Sequence, residues 1–173
     1  MGVTANVLTF TGVLLTLVGV GVIVAGEPRW GTLVVVVAAL TDLFDGAVAR
    51  VRGTDSPLGA FTDSVADRVS DAALLGAAAW LVRDDPLLFG VAIVALGGAQ
   101  LTSYIRAKAE SLGWNATVGI FERAERLVIL LVAFFFDLLS IALWVLAVGA
   151  LITIGQRLRA VWRQANGQRA GAR

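Results

Sequence analysis

Six long apolar segments account for most of this chain and limit what it can fold into. They cover residues 7–26, 31–51, 59–82, 87–109, 119–137 and 139–158. A helix of about 20 apolar residues crosses the roughly 30 Å hydrocarbon core of a bilayer. The composition agrees, because 58% of the residues are hydrophobic and the mean hydropathy is +0.83. The sequence therefore predicts an all-α fold, an integral membrane bundle of six transmembrane helices.

The breaks between these segments contain residues that end or start helices. Proline, glycine and charged residues cluster at 27–29, 53–57, 83–86 and 113–115, and Asp137 separates the last two segments. At this length we expect one domain, a transmembrane domain over residues 1–158, followed by a basic cytoplasmic tail over 159–173. The first apolar segment begins without a basic stretch before it, which predicts a membrane span and not a cleavable signal peptide. The abrupt start also suggests that a surface helix precedes it in a longer form of the chain.

The basic residues predict the orientation of the bundle. The chain has 14 lysines and arginines, and only Arg29 and Arg83 fall on one side of the predicted spans. The other twelve fall on the opposite side, which the positive-inside rule makes cytoplasmic. Both termini are then cytoplasmic, as an even number of spans requires. The net charge of +1 gives no reason to expect nucleic acid as a partner.

The chain has no cysteine and no histidine. This excludes disulfides, thiolate nucleophiles and metal sites built on sulfur or imidazole. Acid, base or metal chemistry must then use carboxylates, lysine, tyrosine or water, and hard oxygen ligands of this kind suit Mg²⁺ or Mn²⁺.

Five aspartates lie within predicted spans, where each costs at least about 2.5 kcal/mol near the bilayer centre. In the second segment Asp42 and Asp45 share a helical stripe with Gly46 and Arg50. In the third, the aspartates recur every fourth residue, at Asp63, Asp67 and Asp71. The short connection makes these helices antiparallel neighbours, so we expect the two stripes to face each other near the cytoplasmic side. Asp71 is expected either to pair with an arginine in helix packing or to make a polar contact.

Clustered carboxylates stay ionised in a low-dielectric site only when cations neutralise them. A pair of divalent ions bridged by shared carboxylates fits both the number of ligands and a phosphoryl-transfer site. Two alternatives remain open at this point. The acids could pair with nearby arginines in a structural charge network, or they could form the site of a metal or proton transporter.

The aspartates belong to a longer pattern, Asp42-x2-Asp45-Gly46-x2-Ala49-Arg50-x8-Gly59-x3-Asp63-x3-Asp67. This pattern resembles the signature of the CDP-alcohol phosphotransferase family, with every position filled. The resemblance implies a six-helix membrane enzyme and a plausible homodimer, with the signature on the second and third helices. It also implies transfer of a phosphatidyl-type group from a CDP-linked lipid to an alcohol, with release of CMP and two Mg²⁺ or Mn²⁺ ions per site.

The resemblance implies a role for each signature residue. Asp42 and Asp63 would bridge the two metal ions, Asp45 would complete the first site, and Asp67 would ligate the second ion and act as general base. Further residues would bind the CDP-lipid: Asn6, Thr9, Gly46, Arg50 and Ser56.

The acceptor alcohol depends on residues outside the signature. The segments around residues 103–110 and 119–127 are similar to those of the family's phosphatidylinositol phosphate synthases, which use CDP-diacylglycerol and inositol 1-phosphate. Four arginines are therefore predicted to bind the acceptor phosphate: Arg106, Arg123, Arg126 and Arg157. The alternative is that they are only the positive charges expected at the cytoplasmic ends of membrane helices. Phosphatidylglycerophosphate, cardiolipin and archaetidylinositol phosphate synthases carry the same signature and remain alternatives.

Overall fold

The computed structural model describes the backbone of residues 5–52 and 56–171 and the side chains of residues 9–41 and 56–167. Within these ranges the chain is helical and has no strand. The helices are α1 (Ala5–Val24), α2 (Pro28–Arg52), α3 (Pro57–Leu81), α4 (Pro86–Ser111), α5 (Arg123–Phe136) and α6 (Leu139–Gly171). The prediction of an all-α fold with six helices is confirmed for this part of the chain.

The starts of α2, α3 and α4 follow from local sequence. Each begins at one of the three prolines of the chain, which lack the backbone N–H that the first turn of a helix leaves unpaired. The residue before the proline then caps two of these helices. Ser56 Oγ accepts a hydrogen bond from Gly59 N at 3.0 Å, and Asp85 accepts from Leu87 N and Leu88 N. These caps explain why α3 and α4 start at the predicted breaks at 53–57 and 83–86.

The helices pack so that α1 and α5 each contact both α2 and α3. In addition, α3 contacts α4, α4 contacts α6, and α5 contacts α6. The core contains small residues of α3 and α4 together with larger side chains, including Leu74, Leu75, Leu130, Leu143 and Leu146. The two helices that carry the aspartates therefore share two neighbours.

The backbones of α1 and α2 come close together at two glycines. A Cβ added at Gly31 would lie 2.5 Å from the carbonyl oxygen of Gly19, and one added at Gly19 would lie 2.8 Å from that of Gly31. Backbone atoms cannot move aside as a side chain can, so only glycine fits at both positions. Small residues are the usual means by which membrane helices come this close.

We predict that Gly31→Ala lowers the free energy of unfolding by about 1–3 kcal/mol, the usual cost of overpacking. The measurement is the midpoint of thermal unfolding in detergent. Gly21→Ala is the matched control, because a Cβ there would meet nothing within 4 Å. Equal midpoints for the two variants would show that the approach of α1 to α2 is not tight in solution.

The last two helices differ from the predicted segments. α5 begins at Arg123 and not at residue 119, and it has 14 residues. α6 has 33 residues and continues beyond residue 158 as far as Gly171, so most of the predicted tail is helical. Residues 114–119 lie outside any helix, and contacts with α6 hold them there, as described below.

Two helices of the described chain are long and apolar enough to cross a membrane by length and composition, Pro86–Ser111 and Leu139–Gly167. Two shorter apolar helical stretches, Thr9–Val24 and Pro28–Thr41, lie in α1 and α2.

Candidate active site

Two of the four predicted metal ligands lie on described parts of α3. Asp63 is exposed and Asp67 is partly exposed, and the two are one helical turn apart on the same face. Asp42 and Asp45 belong to the helical part of α2, but their side chains lie outside the described residues. The predicted facing of the two aspartate stripes involves those side chains and stays a prediction.

Ion pairs connect α3 to the first turns of α5. Asp67 Oδ1 contacts Arg123 Nη1 at 2.8 Å, and Asp71 accepts a hydrogen bond from Arg126 Nη2. Arg68 lies between them, with its Nη2 3.9 Å from Asp67 Oδ2 and 4.0 Å from Asp71 Oδ2. We call these five residues the α3–α5 ladder. It keeps both aspartates beside positive charge.

The two ends of the α3–α5 ladder differ in their exposure to solvent. The side chains of Asp71 and Arg126 are 7% and 6% exposed, whereas those of Asp67 and Arg123 are 18% and 34% exposed. The prediction that Asp71 pairs with an arginine in helix packing is confirmed. The ladder therefore has a buried pair, Asp71 and Arg126, and an open pair, Asp67 and Arg123. The open pair includes the predicted general base.

The other two predicted acceptor arginines have different surroundings. Arg106 Nε lies 2.9 Å from Glu110, and Arg106 Nη1 lies 3.9 Å from Glu122. Arg157 is buried, and it donates hydrogen bonds from Nε to Val118 O at 2.9 Å and from Nη1 to Thr102 O. Arg106 is partly exposed at the end of α4. Arg157 is buried and connects α6 to the backbone of α4 and to that of the segment between α4 and α5.

The segment between α4 and α5 is held against α6 along its length. Gln164 exchanges two hydrogen bonds with the backbone of Asn115, at 2.8 and 2.6 Å. Phe121 N donates to Thr153 Oγ1 at 3.4 Å, and a Cβ at Gly149 would collide with the Phe121 ring. Together with Arg157, these contacts fix where α5 starts. They therefore fix the position of Arg123 opposite Asp67.

The residues predicted to bind the CDP-lipid are only partly described. Thr9 is partly buried on α1, and Ser56 is exposed at the start of α3, where its hydroxyl caps the helix. Asn6, Gly46 and Arg50 lie in helices, but the side chains of Asn6 and Arg50 and the surroundings of Gly46 are outside what the structure describes. Thr9 and Ser56 thus stay predicted ligands, with Ser56 already serving a structural role.

The residues present fit a hard divalent cation. All candidate ligands are carboxylates, and the absence of histidine and cysteine from the whole sequence leaves oxygen as the ligand atom. Among the side chains at 9–41 and 56–167, no three acidic residues gather into a metal site. The other two predicted ligands, Asp42 and Asp45, have side chains outside these ranges.

Sequence reasoning missed the contact between Asp67 and Arg123 and the way residues 112–122 run along α6. The spacing of four residues on α3 and three on α5 puts Asp67 and Asp71 opposite Arg123 and Arg126 once the helices are adjacent. The adjacency of α3 and α5 was the missing information, because α4 and the irregular residues 112–122 separate these two helices in sequence.

The sequence pattern of one protein family, described as CDP-alcohol phosphatidyltransferase, matches residues 2–155. The chain belongs to the CDP-alcohol phosphatidyltransferase family. The predicted resemblance is therefore confirmed, and membership makes the chain a transferase.

Individual relatives of this CDP-alcohol phosphatidyltransferase are phosphatidylinositol phosphate synthases. The one from Streptomyces avermitilis is 42% identical, with 86% of this chain and 71% of the relative aligned. The one from Mycolicibacterium smegmatis is 36% identical, with 92% and 78% aligned.

Solved structures agree in fold with this CDP-alcohol phosphatidyltransferase. The crystal structure of the Mycobacterium tuberculosis phosphatidylinositol phosphate synthase with CDP-DAG bound has a TM-score of 0.87 and 34% identity, and covers 93% of this chain and 87% of that one. A second crystal structure of that protein, in complex with manganese and citrate, has a TM-score of 0.86 and 36% identity, and covers 93% and 83%.

Proposed function

We propose that this chain is a phosphatidylinositol phosphate synthase of phospholipid biosynthesis. It transfers the phosphatidyl group of CDP-diacylglycerol to a hydroxyl of inositol 1-phosphate and releases CMP. The observation that carries the proposal is the 2.8 Å contact between Asp67 and Arg123. It puts a carboxylate that can accept a proton beside a guanidinium that suits a phosphate. A phosphorylated alcohol needs a base for its hydroxyl proton and a cation for its phosphate. The names of relatives at 36–42% identity support the same acceptor.

Four aspartates form the proposed metal site. Asp42 and Asp63 would be shared between two Mg²⁺ or Mn²⁺ ions, with Asp45 completing the first site and Asp67 the second. When bound, the ions supply positive charge that neutralises the diphosphate and the departing CMP. The oxygen-only set of ligands supports this proposal, as does the manganese in the related crystal structure.

The proposed reaction is a displacement at phosphorus. The acceptor hydroxyl oxygen bonds to the phosphorus that carries diacylglycerol, the bond from that phosphorus to the CMP oxygen breaks, and the hydroxyl proton goes to a base. Asp67 is the proposed base, because its carboxylate is partly exposed and lies 2.8 Å from Arg123, a proposed ligand of the acceptor phosphate. A positioned carboxylate of this kind contributes about 10²–10⁴-fold to rate.

Two groups of residues are proposed to bind the substrates. Gly46 gives room for the nucleotide to come close and Arg50 contacts its phosphates, with Asn6, Thr9 and Ser56 at the edge of that site. The acceptor phosphate binds the four arginines at positions 106, 123, 126 and 157. Arg106 and Arg123 are partly exposed and would be met first, while Arg126 and Arg157 would line the inner side.

We propose that the bundle crosses the cell membrane six times, with both termini and the active site on the cytoplasmic side. Large apolar side chains are exposed on the outside of several helices, including Phe10, Trp30, Leu87, Ile141 and Trp144. Such surfaces are stable in lipid but not in water. The domain then covers residues 1–158, and the basic cytoplasmic tail continues α6. A homodimer is part of this proposal.

The test measures CMP release by the purified protein in lipid vesicles that contain CDP-diacylglycerol and Mg²⁺. Inositol 1-phosphate, glycerol 3-phosphate, phosphatidylglycerol and unphosphorylated inositol are supplied in parallel. We expect release with inositol 1-phosphate and little with the others. CMP release with only glycerol 3-phosphate or only phosphatidylglycerol would identify a different acceptor for the same reaction.

The competing function, metal or proton transport, is tested with the same vesicles. They are loaded with a metal-sensitive or pH-sensitive dye, and no nucleotide is added. Ion flux without CDP-diacylglycerol, together with no CMP release for any acceptor, would overturn the proposed enzyme.

A further inference from the structure

At the buried end of the α3–α5 ladder, Arg126 is a proposed ligand of the acceptor phosphate, whereas its partner Asp71 has no role in the reaction proposed above. Asp71 lies one turn after Asp67 on α3, and Arg126 lies one turn after Arg123 on α5. The two pairs are therefore parallel contacts between the same two helix faces. The distance between α3 and α5 at the buried pair therefore also determines the distance between them at the open pair.

A buried ion pair contributes little net stability, because the cost of removing both charges from water offsets their attraction. The best-supported use of such a pair is to fix the register of packed elements. Here the charges are Asp71 and Arg126, and both side chains are more than nine-tenths buried. The register that they fix is that of α5 against α3.

Asp71 engages only part of the Arg126 side chain. Nη2 of Arg126 donates to Asp71, while its buried Nε has no hydrogen-bond partner within the described residues. A buried N–H of this kind normally has an acceptor. Within the described part of the chain, Nε of Arg126 is therefore a buried donor whose acceptor is not among these residues.

We propose that Asp71 is a positioning residue for the acceptor phosphate. It orients Arg126 so that Nε remains available to a phosphate oxygen, and it keeps the first turns of α5 where Arg123 meets Asp67. This inference depends on the proposed function, since it concerns the same acceptor. Asp71 itself does not contact the reacting atoms.

The test compares Asp71→Asn with wild type in steady-state kinetics for both substrates and in calorimetric binding of inositol 1-phosphate to the metal-loaded protein. We expect KM and Kd for inositol 1-phosphate to rise about tenfold, as for loss of a hydrogen bond to a charged group. The KM for CDP-diacylglycerol should stay within about twofold of wild type. Asp84→Asn is the matched control, since the Asp84 side chain is 91% exposed.

Asp71→Glu is the second variant, because it keeps the charge and removes the risk that an uncompensated Arg126 prevents folding. It is expected to bind inositol 1-phosphate better than Asp71→Asn but less well than wild type. Equal losses for both substrates, or a lower unfolding midpoint with unchanged KM and Kd, would show that Asp71 is only structural and overturn the inference. A wild-type protein that releases no CMP would overturn the proposed function instead.

Discussion

Asp67→Asn is expected to lower the rate of CMP release by at least about a thousandfold, within the range for loss of a general base. The amide keeps the size of the side chain but can neither accept the hydroxyl proton nor carry the negative charge that faces Arg123 at 2.8 Å. The protein should still fold, because Asp67 is partly exposed and the amide has nearly the same size as the carboxylate. Manganese should still bind through the remaining carboxylates.

Asp137→Asn is the matched control for this substitution. Asp137 is exposed at the end of α5 with a φ of 60°, and asparagine tolerates that left-handed conformation. The control should retain wild-type activity and elute in the same position on size exclusion. An Asp67→Asn protein with more than about a tenth of wild-type activity would refute the role of Asp67 as base.

Removal of divalent metal is expected to have an effect of similar size. With EDTA, CMP release should fall by at least about a hundredfold, because nothing then neutralises the charge on the diphosphate and the departing CMP. Mg²⁺ or Mn²⁺ should restore the rate. No histidine or cysteine is available to supply a different metal chemistry.

The control for chelation is EDTA already saturated with Mg²⁺, which should leave the rate unchanged. Direct binding of Mn²⁺, followed by its paramagnetic resonance signal, gives a readout that does not depend on turnover. Asp63→Asn should weaken that binding. Full activity in excess chelator would exclude the proposed metal site, whichever acceptor the enzyme uses.

The first four helices could be predicted from sequence because their ends are decided locally. Pro28, Pro57 and Pro86 each begin a helix, and Ser56 and Asp85 cap two of them. Signals of this kind act within one turn and need no knowledge of the rest of the fold. The predicted starts of the corresponding segments lie within three residues of the observed ones.

The start of α5 could not be predicted in the same way. Apolar residues continue from 118 to 121, yet residues 115–121 are not helical because α6 holds them through Thr153, Arg157 and Gln164. These partners are 32 to 49 residues away in sequence. Tertiary contacts of this range override local propensity, and periodicity does not record them.

The candidate site shows the same division. The signature spacing led to Asp63 and Asp67, and the four-residue repeat correctly led to Asp71 as a partner of an arginine. Sequence alone could not identify Arg126 as that partner, nor reveal that Arg126 and Arg157 are buried. Their roles toward the acceptor depend on how α5 and α6 pack, which the pattern of residues does not specify.

The most direct test of the proposed reaction is to identify the lipid that forms when the purified protein, in vesicles with CDP-diacylglycerol and Mg²⁺, receives inositol 1-phosphate. Phosphorus NMR of the extracted lipid should show one phosphodiester and one phosphomonoester in equal amounts, with one CMP released per product. A lipid with only a phosphodiester would mean that the acceptor carries no phosphate of its own. Recovery of unchanged CDP-diacylglycerol with this and every other acceptor would contradict the account.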